Sequence, residues 1–152
     1  MKKSILWLGV IVILSQTAYA EALSSRKTQG FIKDFYKAMT AREDKKLDAM
    51  IADDAKINIH LTKMNQSFSL SKSQYLQQIK AAWHFGRDEK YKLSNIKYTL
   101  TQAGLSANLS LRLNESRTIL NEDLSQEQEM SIDLSLIDEQ IKISNIKTVT
   151  NF

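Results

Sequence analysis

Few side chains in this sequence are able to carry a reaction. It contains no cysteine and two histidines, His60 and His84. Thiolate nucleophiles and cysteine metal sites are therefore excluded. Two histidines without carboxylates at ligand spacing do not specify a metal, so none is expected. No motif specifies a nucleotide, and no cofactor is expected. What remains for general acid–base chemistry is Tyr36, Tyr98 and His84. Such chemistry needs a titratable group within hydrogen-bond reach of a substrate.

Each candidate also has a plainer reading. His60 alternates with Ile59 and Leu61, so it should face outward beside Asn58. His84 falls in the last turn of an expected helix, where an imidazolium suits the helix dipole. Asp53 and Asp54 read as a helix-to-strand junction. For Trp83, core packing is favoured over a place in a pocket wall.

The elements that position these residues follow from periodicity. Ser24 or Ser25 can cap a helix running to about Arg42, with Phe31, Phe35 and Met39 at four-residue spacing and Ile32 and Tyr36 widening the stripe. A short helix is expected over 44–52. An alternating strand follows over 56–62, then a turn and a return strand over 67–70. Ser71 with Gln74 forms a capping-box signature for a third helix that carries Leu76, Ile79, Ala82 and Trp83 and stops near Gly86.

From Tyr91 onward the pattern is a meander of strands. The spacing predicts Leu100 opposite Leu105, Ile119 opposite Leu124 and Leu136 opposite Ile141. These three hairpins agree on one apolar face. With the first hairpin, that face comprises Ile57, Ile59, Leu61, Phe68, Leu70, Ile96, Tyr98, Leu100, Leu109, Leu111, Leu113, Met130, Ile132, Leu134, Leu136, Ile141 and Ile143. Tyr98 is its only polar member. Leu93-Ser-Asn-Ile-Lys97 and Ile143-Ser-Asn-Ile-Lys147 each shift the parity of their apolar residues, which predicts a β-bulge in both strands and hence a curved sheet.

The N-terminus reads as a secretory signal. Lys2 and Lys3 precede an apolar run of ten residues, Ile5–Leu14, and Ala18 and Ala20 stand at the small-residue positions of a cleavage site. A bilayer span needs about 20 apolar residues, so no permanent membrane anchor is expected. Residues 1–20 are assigned to a cleaved signal peptide and 21–152 to one domain, with a periplasmic location. Beyond residue 20 the chain holds 19 basic and 17 acidic residues, a net charge of +2. That balance argues against a nucleic-acid partner.

Helix, short helix, hairpin, helix and a bulged four-stranded meander, over about residues 24–152, resemble the NTF2-like (SnoaL-like) superfamily. The run Asp53-Asp54-Ala55-Lys56-Ile57 is similar to that family's junction between second helix and first strand. The resemblance implies an α+β cone: three N-terminal helices packed on a curved, mostly antiparallel six-stranded sheet. Members include isomerases, dehydratases, ligand binders and protein-binding modules. Enzymes among them place a carboxylate, His or Tyr inside the cone, and the apolar face derived above supplies no such dyad. The leading expectation is thus a non-enzymatic exported domain that binds a small apolar ligand or a partner protein. Its pocket is expected to involve Tyr36, Ile59, Trp83, Tyr98, Leu111 and Ile132. The alternatives are an isomerase or dehydratase using Tyr36, Tyr98 or His84, and an immunity-type or structural partner protein. Glu122, Asp123, Glu127 and Glu129 cluster near one hairpin tip, and Arg26, Lys27, Lys33, Lys37, Lys45 and Lys46 concentrate in the helical part. They offer a docking surface, including one for a homodimer through the sheet's outer face.

Overall fold

The computed structural model describes residues 22–101 and 103–151. The expected signal peptide lies outside them. Helix α1 covers Ser25–Ala41, and its N-terminal amides are met by Ser24, whose Oγ accepts from the Lys27 amide at 3.2 Å. Its stripe of Ile32, Phe35, Tyr36 and Met39 is buried. Helix α2 covers Asp44–Met50 and buries Leu47. Helix α3 covers Lys72–Phe85 and opens with the full capping box between Ser71 and Gln74.

Six strands complete the fold: β1 Ile51–Leu61, β2 Gln66–Leu70, β3 Gly86–Leu100, β4 Ser106–Ile119, β5 Glu122–Ile137 and β6 Gln140–Asn151. They form one sheet in the order β2-β1-β6-β5-β4-β3. All neighbours are antiparallel except β1 and β6. This is the expected α+β cone. The helices cover one face of the sheet, and the core between them is centred on Phe35, Ile32, Leu47, Ile51, Ile57, Leu109, Ile132, Leu134 and Ile143.

Both parity-shifting segments are bulged. The β3–β4 register shifts between Ser94 and Lys97, with Asn95 at φ 53°, and the β5–β6 register shifts at Ser144. A further shift lies between Arg87 and Lys90, with Asp88 at φ 54°.

Several expectations need correction. Strand β1 starts at Ile51 rather than Lys56, because Ile51 already pairs with Ile143 of β6. Gly86 is extended, at φ −97°, and serves close approach instead: a Cβ there would lie 2.8 Å from the Ala82 carbonyl oxygen. The β5–β6 hairpin has the expected register, Leu136 opposite Ile141. The other two slip by two residues: Leu100 faces Ala107, and Ile119 faces Glu122. A slip of two keeps every side chain on its face, so hydrophobic alternation cannot detect it. Phe68, expected on the inner face, is 44% exposed on the short edge strand β2.

Candidate functional site

The inner face of the sheet does not stay apolar to its end. Beyond Leu113, the alternation along β4 continues with Glu115 and Arg117. Opposite them on β5 stand Gln128 facing Leu113, Gln126 facing Glu115, and Leu124 facing Arg117. On β6, Thr150 faces Gln128 and Thr148 faces Met130. Ile59 and Leu61 of β1 flank these threonines. Tyr91 of the edge strand β3 faces Glu115.

All of these except Leu124 line a cavity of about 260 Å³ between α1, α3 and the sheet. Its apolar wall comes from Met39, Ile59, Leu61, Ile79, Ala82, Leu113 and Met130, and its polar wall from Glu115, Arg117, Gln126, Gln128, Thr148 and Thr150. Tyr36, Tyr75 and Tyr91 also line it. A second hollow of about 330 Å³ adjoins it, sharing Glu115, Arg117 and Gln126 and edged by Ile119 and Leu124.

Glu115 is 7% exposed and fully partnered. One carboxylate oxygen pairs with the Arg117 guanidinium. The other accepts from Nε2 of Gln126 at 3.0 Å and of Gln128 at 3.1 Å. Such saturation lets a carboxylate stay charged away from water, and it leaves little capacity to abstract a proton.

The tyrosines are tuned in one direction. Burial raises the pKa of Tyr36 well above the ordinary tyrosine value, and the nearby Tyr75 and Tyr91 phenols add to the rise. Burial likewise raises Tyr75, with Tyr91 contributing. Tyr91 is also raised by burial, although Arg117 opposes the rise. All three therefore remain protonated hydrogen-bond donors at neutral pH. The Tyr36 and Tyr91 rings lie 5.5 Å apart. The Tyr36 hydroxyl donates to Sδ of Met130 at 3.1 Å, and a thioether is a weak acceptor.

Of the pocket residues expected from the sequence, Tyr36 and Ile59 line the cavity. Leu111 and Ile132 belong to the packed core instead. Trp83 is also core, and its indole N–H has no hydrogen-bond partner among the described residues. Tyr98 pairs with Leu109 near the end of edge strand β3 and is 38% exposed, outside the cavity. His84 is exposed in the last turn of α3, edge-on to Phe85 at 4.8 Å. The acid–base candidates are thus dispersed, with Tyr36 alone at the cavity. His60 bonds Ser67 at 3.0 Å across the first hairpin. Among the described residues no group of three His, Asp or Glu side chains is placed to hold a metal.

Glu115, Arg117, Gln126 and Gln128 were legible only by parity: two further steps from Leu113 on β4, and two steps back from Met130 on β5.

The hairpin acids are partly spent on the outer face. Arg112 pairs with Glu127 and Glu129, each at 3.5 Å. Thr118 donates to Asp123 at 2.7 Å.

No protein family and no curated protein matches the sequence. Solved structures do match the fold. A candidate scytalone dehydratase from Novosphingobium aromaticivorans is similar at a TM-score of 0.71 and 16% identity, over 84% of this chain and 83% of that one. An NTF2-like protein from Cytophaga hutchinsonii is similar at 0.69 and 11%, over 85% and 100%. A type-3 LinA hexachlorocyclohexane dehydrochlorinase from Novosphingobium barchaimii is similar at 0.63 and 14%, over 82% and 87%. At such identities the likeness is one of fold: this chain has the NTF2-like, cystatin-like α+β fold, three helices on a curved and unclosed six-stranded sheet.

Proposed function

We propose that the chain is an exported, non-enzymatic domain of the bacterial envelope that holds a small, mostly apolar molecule bearing one hydrogen-bonding end. The observation that carries this reading is the mixed lining of the cavity: apolar side chains of α1, α3 and the sheet surround it together with a cluster of polar side chains on neighbouring β4, β5 and β6. A concave site with an apolar lining and a few convergent polar groups is how proteins commonly hold small ligands. Glu115, the buried carboxylate on its wall, spends its oxygens on Arg117, Gln126 and Gln128. That pairing favours binding over proton abstraction.

The test is native mass spectrometry of the protein taken from a periplasmic extract. The expected result is a chain of Glu21–Phe152 carrying a mass excess of a few hundred daltons that vanishes on denaturation. An apo mass in every preparation would contradict the reading and direct attention to protein partners.

A second reading is an elimination-type enzyme, favoured by the placement of Glu115 opposite Tyr91 on the cavity wall. It requires Glu115 to leave Arg117 during turnover. Conversion of the co-purified molecule by the wild-type protein, abolished in Glu115→Gln, would establish it.

A further inference from the structure

Two facts about charge stand out in the cavity. Among the described residues, Glu115 and Arg117 are the only charged side chains lining either hollow, and they lie on the wall the two hollows share. The other charges that act on Tyr91 are Glu89 and Arg42. These also form a pair, at 3.0 Å. Among the described residues, the charges acting on Tyr91 or lining the hollows thus fall into two internal pairs, Glu115 with Arg117 and Glu89 with Arg42.

Arg117 is otherwise well placed to hold an anion. Its guanidinium borders an apolar cavity, beside two amide side chains, with its side chain only 18% exposed. Largely withdrawn from water, it would bind a carboxylate or sulfonate head strongly. Glu115 occupies that position.

We infer that Glu115 sets the charge specificity of the cavity: by pairing with Arg117 it reserves the site for uncharged molecules and excludes anionic amphiphiles. An anion entering the cavity must either displace Glu115, leaving that carboxylate buried and unpaired, or go without a cationic partner. Both are unfavourable. A neutral molecule pays neither penalty, and its polar atom finds the tyrosine hydroxyls, the threonines and the amide carbonyls. This inference rests on the small-molecule reading above.

The test compares two probes with the same ring system, neutral N-phenyl-1-naphthylamine and anionic 8-anilinonaphthalene-1-sulfonate, by fluorescence titration of the full protein as purified from the periplasm. Wild type should bind the neutral probe and not the sulfonate. Glu115→Gln keeps the shape and should bind the sulfonate roughly tenfold to a hundredfold more tightly than wild type does, so that the ratio of sulfonate to neutral-probe affinity rises. Arg117→Gln removes the cation and should bind the sulfonate no better than wild type, as should the double variant. Circular dichroism and thermal unfolding establish that each variant is folded. Wild type binding both probes alike would overturn the inference, as would a folded Glu115→Gln with no gain for the sulfonate. If Glu115→Gln fails to fold, sulfonate binding by Arg117→Gln equal to or tighter than neutral-probe binding would overturn it. Failure of wild type to bind either probe would overturn the small-molecule reading itself.

Discussion

Tyr36 on α1 donates its hydroxyl proton to Sδ of Met130 on β5 at 3.1 Å, tying helix to sheet across one side of the cavity. Sulfur is a poor acceptor, so this bond is easily given up to a ligand oxygen. The ring does more for the fold than the hydroxyl does: it packs edge-on to Phe35 at 5.4 Å and against Tyr91 at 5.5 Å. Tyr36→Phe is therefore expected to cost under about 1 kcal/mol in urea unfolding. Tyr36→Ala is expected to cost about 3–5 kcal/mol. If the two substitutions cost the same, the hydroxyl rather than the ring holds the site.

Glu115 and Arg117 show side-chain exposures of 9% and 18%, so their pairing is only weakly screened by solvent. Removing one partner strands the other. Glu115→Ala is expected to destabilise by about 3 kcal/mol, and Glu115→Gln by clearly less, because its amide can still bond Gln126 and Gln128. Chemical denaturation of the two variants side by side checks this order.

Much of the fold was legible in the sequence, and the reasons are local. Ser24 and the Ser71–Gln74 box fix two helix starts by capping chemistry. The Ser-Asn parity breaks located two bulges because parity is what a bulge changes. The two slipped hairpins were invisible to the same logic. In the β4–β5 hairpin the loop is Leu120-Asn121, at φ 52° and 66°, and leucine at a left-handed position gives no turn signal. The site was harder. Tyr98 shares a face with buried Leu109, yet it lies near the end of an edge strand. Glu115 escaped because an apolar face was followed only through apolar residues.

Alkaline pH should expose the tyrosine cluster. Tyr36, Tyr75 and Tyr91 all ionise above the ordinary value of 10.0 in the folded protein. Below pH 10 the phenols are protonated in both folded and unfolded chains, and the fold bears no penalty. As pH rises past 10 the unfolded chain releases protons that the folded one retains, so stability falls. Urea midpoints measured from pH 8 to 11.5 should decline above 10, and Tyr75→Phe should make the decline shallower. A flat profile in the wild type would count against burial of these phenols.

At Gly86 a Cβ would meet the Ala82 carbonyl oxygen at 2.8 Å and Oε1 of Glu89 at 3.0 Å. The same residue's carbonyl accepts from Arg42, which also pairs with Glu89. Gly86→Ala is thus expected to cost about 1–3 kcal/mol and to loosen the start of β3, which carries Tyr91. Thermal unfolding reads the first effect, and amide exchange along 86–91 the second.

The central claim is that the cavity between α1, α3 and the sheet is where a small molecule binds. Ile59 lines it from β1, and tryptophan in its place would fill part of the hollow while keeping a residue suited to a strand. The most direct measurement is titration of the wild-type protein and Ile59→Trp with N-phenyl-1-naphthylamine, alongside circular dichroism. The expected result is saturable one-to-one binding by the wild type and at least about tenfold weaker binding by a folded variant. Equal binding by the two proteins would contradict the claim and place the ligand elsewhere.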